Sequence, residues 1–399
     1  MITKFKMFEK NIPIKMILPD DIYQIKKEFD KAGKKLYVVG GAVRDLYQNR
    51  KPHDIDLVTD AQPEESLKIL RNKFNVSDQQ GKSFGVLRIF TEAEPAGYEL
   101  ATFRKDISKG RDTKGDDVKV EIGNHITIDD DVKRRDLTQN ALFYDIDKEE
   151  IVDLVGGVDD INSNIISAVG EASERFIEDR LRILRVFRFA SRNQSKISQS
   201  TIDAIVKDKR LRNVSPIDDV SQERIVEEFV KAVDWASDHN KIEALHFYLE
   251  SLEKYGIFDE MFPSLDININ DIDTFDIIII FALLFRDNDI DRLRSKLSKY
   301  KFPNDIADTA CFLLKFRDHL ENINKIPSLY KEKIRFHVTD ATILEFAKLY
   351  DFNVDYLNAF LKFEPVKVDT DELIKLGLKG AAIGIEVQRR NIEKFNKLL

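Results

Sequence analysis

Two carboxylates separated by one residue, Asp54 and Asp56, are the first candidates for chemistry in this chain of 399 residues. Residues 55–58 have strand character, and on a strand residues i and i+2 project from the same face, so both side chains should lie together. Such carboxylates repel unless a cation lies between them, and Mg²⁺ prefers oxygen ligands. The pattern therefore predicts a metal site. The alternative is a pair of solvated acids on an edge strand.

A glycine pair, Gly40 and Gly41, follows the β-rich residues 36–39 and precedes a short helical pattern. Glycine lets the backbone approach a phosphate closely, and the start of the following helix favours an anion. Arg44 adds a positive charge to the same turn. The pattern indicates phosphate binding, and the alternative is an ordinary tight turn.

An arginine-rich segment between residues 178 and 189 supplies a third group of candidates. If residues 173–192 form one helix, an acid and three arginines spaced by three share one face, namely Asp179, Arg182, Arg185 and Arg188. The alternative is an amphipathic helix with internal ion pairs. So much arginine in a chain of net charge −8 favours an anionic ligand instead.

The elements that must position these residues differ along the chain. Short β-rich runs alternate with helical patterns up to about residue 145, and helical periodicity predominates after about residue 165. This pattern predicts a small α/β head followed by a long helical body.

Composition excludes several classes of protein. With 63 Lys+Arg against 71 Asp+Glu, the chain cannot bind nucleic acid through bulk positive charge, although a local basic surface stays possible. The single cysteine, Cys311, excludes a disulfide framework and fits a reducing compartment. The most apolar run, residues 277–285, is too short for a bilayer that needs about 20 residues. We expect a soluble, cytoplasmic protein that binds no membrane.

In their order along the chain, these motifs resemble those of the class II tRNA nucleotidyltransferase and bacterial poly(A) polymerase superfamily. The matching segments are Gly-Gly-Ala-Val-Arg-Asp at 40–45, Asp-Ile-Asp at 54–56, Arg-Arg-Asp-Leu-Thr-Gln-Asn-Ala at 134–141, Asp-Leu-Val-Gly-Gly at 153–157, Glu-Asp-x-x-Arg at 178–182 and Glu-Arg-Ile at 223–225. Gln139 replaces the family's usual aliphatic residue, and Arg180 replaces its usual proline. Neither change removes a catalytic group.

The resemblance implies the α+β fold class, with a nucleotidyltransferase head of mixed β-sheet and flanking helices followed by an all-helical neck, body and tail. The implied divisions are an N-terminal extension at 1–30, the head at 31–145, the neck at 146–215, the body at 216–330 and the tail at 331–399. The resemblance also implies template-independent addition of CCA, from CTP and ATP, to the 3′ end of tRNA, with Asp54 and Asp56 catalytic and holding two Mg²⁺ ions. A third acidic ligand is not identified, and Glu99, on the strand before Arg104, is a candidate. The residues implied in nucleotide binding are Gly41, Arg44, Arg135, Asp179, Arg182, Arg185 and Arg188. No obligate protein partner is inferred.

Hydrogen-bond chemistry relates two of these residues to base selection. Cytosine and adenine each present an amino donor beside a ring-nitrogen acceptor, whereas uracil and guanine present a carbonyl beside an N–H donor. A carboxylate only accepts and a guanidinium only donates, so Asp179 with Arg182 is complementary to C and A. A basic loop predicted at residues 105–119 resembles the loop that helps the family switch from C to A addition.

Three other functions remain open from the sequence. A poly(A) polymerase has nearly the same motifs, and an enzyme that adds only CC or only A also fits them. The basic loop favours addition of the full CCA. A catalytically silent RNA-binding protein is disfavoured because Asp54, Asp56 and Arg135 are all intact.

Overall fold

A computed structural model describes residues 10–77, 86–106, 120–207 and 220–399 of the protein. The chain divides into two compact units, Met1–Ala232 and Val233–Leu399. Within the four described ranges, no helix is long and apolar enough to cross a membrane. The five predicted domain divisions stay a prediction.

The first unit contains a mixed sheet of eight strands and two small pairs of strands. In chain order the strands are β1 (Lys10–Pro13), β2 (Leu36–Val39), β3 (Asp56–Thr59), β4 (Asn75–Ser77), β5 (Val86–Phe90), β6 (Tyr98–Thr102), β7 (Arg104–Asp106), β8 (Val120–Ile122), β9 (Phe143–Asp145), β10 (Glu150–Asp153), β11 (Ile165–Ile166) and β12 (Lys196–Ile197). The large sheet has the order β1-β10-β9-β2-β3-β6-β5-β4. Its neighbours are antiparallel except β3 and β6, which are parallel.

Helices flank this sheet in the first unit, and the last of them continues past Ala232 into the second unit. They are α1 (Asp20–Lys31), α2 (Gly41–Tyr47), α3 (Pro63–Leu70), α4 (Ile128–Lys133), α5 (Gly157–Asn162), α6 (Ala172–Glu178), α7 (Leu181–Arg192), α8 (Gln199–Lys207) and α9 (Gln222–Asp238). A 3₁₀ turn covers Thr138–Asn140. The large sheet includes strands on both sides of the predicted head in the sequence. Strand β1 precedes residue 31 and strand β10 follows residue 145.

The central strand β2 separates two apolar layers because its side chains alternate between the faces of the sheet. Leu36 and Val38 pack with the buried face of α1. Tyr37 and Val39 pack on the opposite face with Val58 and other apolar side chains. Asp56 lies opposite Val39 in the ladder, two residues before Val58, so it occupies the end of this second layer.

The second unit is helical throughout its described residues. Its helices are α10 (Ile242–Lys254), α11 (Ile257–Met261), α12 (Ile277–Leu284), α13 (Ile290–Lys299), α14 (Asn304–His319), α15 (Ile326–Arg335), α16 (Asp340–Ala347), α17 (Val354–Lys362), α18 (Thr370–Lys375) and α19 (Ala381–Asn396). The apolar run at 277–285 forms the buried helix α12, which the carboxylate of Asp276 caps by accepting from the amides of Ile278 and Ile279. The predicted α+β class, a mixed-sheet head followed by helices, is confirmed.

Candidate active site

The glycine turn joins β2 to α2 as the sequence predicts. Gly40 has φ +78°, a conformation that L side chains rarely adopt, so glycine is required at this position. Arg44 folds back beside the turn and is 7% exposed. Its Nε and Nη2 donate to Asp45 Oδ1 at 2.9 and 2.8 Å, and its Nη1 donates to Asn140. The turn thus presents an oriented guanidinium group.

The motif at residues 153–157 supports the turn that carries Asn140. The buried carboxylate of Asp153 accepts hydrogen bonds from backbone amides of residues 155–158. A side chain at Gly157 would place its Cβ 2.2 Å from the carbonyl oxygen of Thr138, so only glycine allows this close approach. The neighbouring Gln139 is buried, and its amide nitrogen donates to Ile165 O at 2.6 Å. A hydrogen bond thus replaces the apolar contact that the family's usual aliphatic residue would make.

The carboxylates lie at the start of β3, although only one of them belongs to the strand. The ladder begins at Asp56, and Asp54 is exposed just before it, so the prediction that both lie on the strand is wrong for Asp54. Burial, together with repulsion from Asp54 and Glu99, raises the pKa of Asp56 to about 6. The three carboxylates therefore affect one another electrostatically.

Glu99 lies beside Asp56 on the parallel strand β6, because Leu57 pairs with Leu100. Its carboxylate already accepts from Arg88 Nη2 at 2.6 Å. Among the described residues, no group of three or more His, Cys, Asp or Glu side chains is arranged to hold a metal ion. Asp54 and Asp56 are the donors that fit a divalent cation, since a cation between them would relieve the repulsion that raises the pKa of Asp56.

Asp131 in α4 holds the two arginines of the Arg-Arg-Asp motif. Its side chain is fully buried. Oδ1 accepts from Nε and Nη2 of Arg134 at 2.9 and 2.7 Å, and Oδ2 accepts from the same atoms of Arg135 at 3.0 and 2.8 Å. Burial alone would raise the pKa of Asp131, but Arg135 and Arg134 hold it below its usual value. Arg135 also lies over the ring of Phe143, 4.9 Å from its centroid.

The segment predicted as one helix at 173–192 is broken at Asp179, and this prediction is wrong. Asp179 adopts an extended conformation (φ −150°, ψ 108°) between α6 and α7. Its Oδ1 accepts from the amide of Leu181 at 3.0 Å, which caps the start of α7. Arg180, at the position of the family's proline, is 7% exposed. Asp179 therefore does not share a helical face with the arginines of α7.

Asp179 and Arg182 are each oriented by other residues. Asp179 Oδ2 accepts from Arg224 Nη2 of α9 at 3.0 Å. Arg182 donates to Glu178 Oε2 and to the carbonyl oxygen of Arg134, both at 2.8 Å. A carboxylate has about four lone-pair sites and a guanidinium has five N–H groups, so both keep capacity for a base.

The remaining predicted arginines, Arg185 and Arg188, follow along α7. Arg185 Nε donates to Asp136 Oδ2 at 2.6 Å, and Arg188 Nε donates to Glu228 Oε2 at 2.7 Å. Burial lowers the pKa of Arg185, but Asp136 and Glu228 together raise it. Carboxylates therefore orient both guanidinium groups, and those around Arg185 favour its charged form.

Sequence reasoning missed Asp131, and it gave Glu228 no role in orienting an arginine. Asp131 precedes the two arginines by three and four residues, which is the spacing of a helical ion pair, so a signal was present. Glu228 is buried on a separate helix, and nothing local in the sequence indicates its partner. Of the loop predicted at 105–119, Lys105 and Asp106 belong to β7 instead, and residues 107–119 lie outside the described residues.

Replacement of Asp56 by asparagine should stabilise the metal-free protein at neutral pH. The unfolded carboxyl has a pKa of about 3.9, and the folded one a pKa of about 6. The wild type therefore loses stability as the pH rises from about 4 through 6, and the neutral amide avoids this loss. In EDTA, urea unfolding should show a gain of about 2–3 kcal/mol at pH 7.5 that shrinks towards pH 4.5. An equal difference at both pH values would contradict the raised pKa of Asp56.

Replacement of Asp131 by asparagine should destabilise the first unit strongly. The change leaves two guanidinium groups, whose side chains are only 16% and 15% exposed, without their shared carboxylate, which costs about 3–5 kcal/mol in the free energy of unfolding. Asp129→Asn is the matched control, because Asp129 is exposed on the same helix and its replacement should cost less than about 0.5 kcal/mol. Equal stability of the two variants would show that Asp131 does not hold the arginines.

Part of this sequence is similar to known proteins. Residues 36–167 match the family model described as the poly A polymerase head domain. The CCA-adding enzyme of Lactobacillus helveticus is 38% identical over 207 residues, 52% of this chain and 48% of that protein. The CCA-adding enzyme of Bacillus licheniformis is 36% identical over 242 residues, 60% of this chain and 54% of that protein. The matches thus span about half the length of these relatives.

Solved structures share the fold over nearly the whole chain. The Bacillus stearothermophilus CCA-adding enzyme in complex with CTP is 23% identical, with a TM-score of 0.64 over 96% of this chain and 94% of that one. The Thermotoga maritima CCA-adding enzyme complexed with tRNA is 17% identical, with a TM-score of 0.61 over 96% of both chains. The resemblance of residues 36–167 to the poly A polymerase head domain, and of about half the chain to CCA-adding enzymes, is thus confirmed.

Proposed function

We propose that this protein adds C and A nucleotides, from CTP and ATP, to the 3′ end of tRNA without a template and releases pyrophosphate. The observation that carries the proposal is the placement of the carboxylate pair at the start of β3, within electrostatic reach of the buried Arg135. Relatives named CCA-adding enzymes support the choice of substrates. A tRNA substrate also favours a cytoplasmic location.

Asp54 and Asp56 are the residues that would hold Mg²⁺. Bound there, the metal would lower the pKa of the tRNA 3′-hydroxyl and stabilise the charge of the leaving pyrophosphate. The pKa of Asp56, about 6 in the protein alone, means that the carboxyl binds a proton more readily than usual. A divalent cation must displace that proton, so metal affinity should weaken as the pH falls below about 6.

The positive groups of the site have a separate task. Gly41 and Arg44 would contact the triphosphate at the turn after β2, and Arg135 would add charge from α4's end. Arg185 and Arg188 would do so from α7. Because Asp131, Asp136 and Glu228 fix these guanidinium groups before substrate binds, little reorganisation is needed when charge develops on the leaving group.

Base selection is assigned to Asp179 and Arg182. The carboxylate would accept from the amino group of C or A, and the guanidinium would donate to the adjacent ring nitrogen. Arg224 and Glu178 hold the two side chains in place from outside the pair. With U or G, the carboxylate would face a carbonyl oxygen and the guanidinium would face an N–H donor, and this mismatch discriminates strongly.

Labelling of tRNA that lacks its 3′ end tests the proposal. With Mg²⁺ and each nucleotide alone and in pairs, the protein should incorporate C, and then A only after two C. Long tails made from ATP alone would show a poly(A) polymerase, and C or A alone would show a partial enzyme. Asp54→Ala should lower every incorporation by about 10³-fold or more, because the metal contributes several kcal/mol. No labelling by the wild type would favour an RNA-binding protein.

Asp179→Ala should relax base selection rather than abolish chemistry. Removal of the only acceptor of the pair makes UTP and GTP less unfavourable, and the preference for CTP over UTP should fall by about 10²-fold or more. The ratio of kcat/KM values for the two nucleotides measures this change. Asp54→Ala is the contrast, since it should lower all four nucleotides alike. Normal selectivity in Asp179→Ala would contradict the assignment.

A further inference from the structure

Phe189 lies at the centre of a cluster of four guanidinium groups. The distance from guanidinium carbon to ring centroid is 4.5 Å for Arg188, 4.5 Å for Arg192, 5.2 Å for Arg44 and 5.5 Å for Arg185. All four lie within the roughly 6 Å over which an aromatic face attracts a cation. We call these four arginines, with the ring among them, the Phe189 cluster.

Local helix geometry places two arginines of the Phe189 cluster beside the ring. Arg185 and Arg192 lie four residues before and three residues after the ring on α7, so they share its face of the helix. Arg44 reaches the same ring from α2, directly after the glycine turn. The ring therefore joins the arginine stripe of α7 to the turn that presents Arg44.

The position of Phe189 differs from that of a core aromatic residue. Phe187, two residues earlier on α7, is fully buried, whereas Phe189 is only half-buried. A half-buried ring between guanidinium groups attracts them through its negatively polarised face, in addition to burying apolar area. An aliphatic residue of similar size would fill the same space and lack that face.

Carboxylates pair with several arginines of the Phe189 cluster. Asp45 pairs with Arg44, Asp136 with Arg185, and Glu228 with Arg188. Around Arg192, burial and the neighbouring Arg188 and Arg44 outweigh the attraction of Asp45, and they lower the pKa of Arg192 to about 9. The surroundings of Arg192 disfavour its positive charge, so an anion bound beside Arg192 would stabilise that charge.

We propose that Phe189 is a positioning residue that gathers the four arginines into a polyphosphate-binding cluster, in which Arg192 is a further binding residue. The inference deepens the proposed function, on which it rests for identifying the ligand as the triphosphate of the nucleotide. Guanidinium groups bind phosphate oxygens in a planar, directed way, and several groups held together can engage several oxygens at once. The Phe189 cluster should therefore bind a polyphosphate even without a base or tRNA.

Calorimetric titration of the full chain with inorganic tripolyphosphate, in EDTA, tests the cluster separately from catalysis. The wild type should bind, more weakly as salt rises. Phe189→Leu should raise the Kd about tenfold, because the aromatic face is lost, whereas Phe189→Tyr should stay within about twofold. Arg192→Gln should also weaken binding about tenfold. Lys207→Gln, which removes one exposed positive charge from the same unit, should change the Kd by less than about twofold.

Wild-type affinity in Phe189→Leu would overturn the positioning role, and wild-type affinity in Arg192→Gln would overturn the assignment of Arg192. If Phe189→Leu does not fold, Phe189→Met replaces it, with the Tyr variant as the rescue. A protein that shows the expected binding pattern but adds no nucleotide to tRNA would contradict the proposed function and support the cluster. If the wild type adds nucleotides to tRNA but Phe189→Leu and Arg192→Gln bind tripolyphosphate as tightly as the wild type, the role of the Phe189 cluster is contradicted and the proposed function is not.

Discussion

Guanidinium groups repel one another, and the candidate site can hold many of them only because carboxylates fix their positions. The carboxylate of Asp131 is the partner on which most depends. Each of its two oxygens accepts two hydrogen bonds from one arginine, so Arg134 and Arg135 are both oriented by a single fully buried side chain. Because a buried cation without its partner is far costlier than an exposed one, the two arginines cannot leave this geometry independently.

The same helix end also positions the residues assigned to base selection. The carbonyl oxygens of Lys133 and Arg134, at the end of α4, accept from Arg175 and Arg182. Glu178 pairs with both of these arginines and so ties the break between α6 and α7 to α4. Arg135, assigned to the triphosphate, and Arg182, assigned to the base, thus depend on one short helix. A displacement of α4 would disturb both tasks together.

Local patterns in the sequence predicted the glycine turn, the carboxylate pair and several strands of the head, since each of these depends on neighbours within a few residues. The break at Asp179 could not be predicted in this way. An aspartate at this position can stay within a helix or cap the next one, and here the cap is supported by Arg224 from α9. The role of Phe189 likewise depends on Arg44, which only the folded chain brings to the ring. Short edge strands such as β1 were missed because their pairing with β10 is not local.

The two halves of the site have opposite electrostatic needs. Burial and neighbouring carboxylates raise the pKa of Asp56 to about 6, and burial and neighbouring guanidinium groups lower the pKa of Arg192 to about 9. Under the proposed function, the nucleotide binds together with a divalent cation. The cation would stabilise the carboxylates around Asp56, and the triphosphate would stabilise the guanidinium groups around Arg192. At physiological salt, charges further away than about 8 Å are largely screened. The net charge of −8 therefore decides little, and the local arrangement of acids and arginines determines what this site can bind.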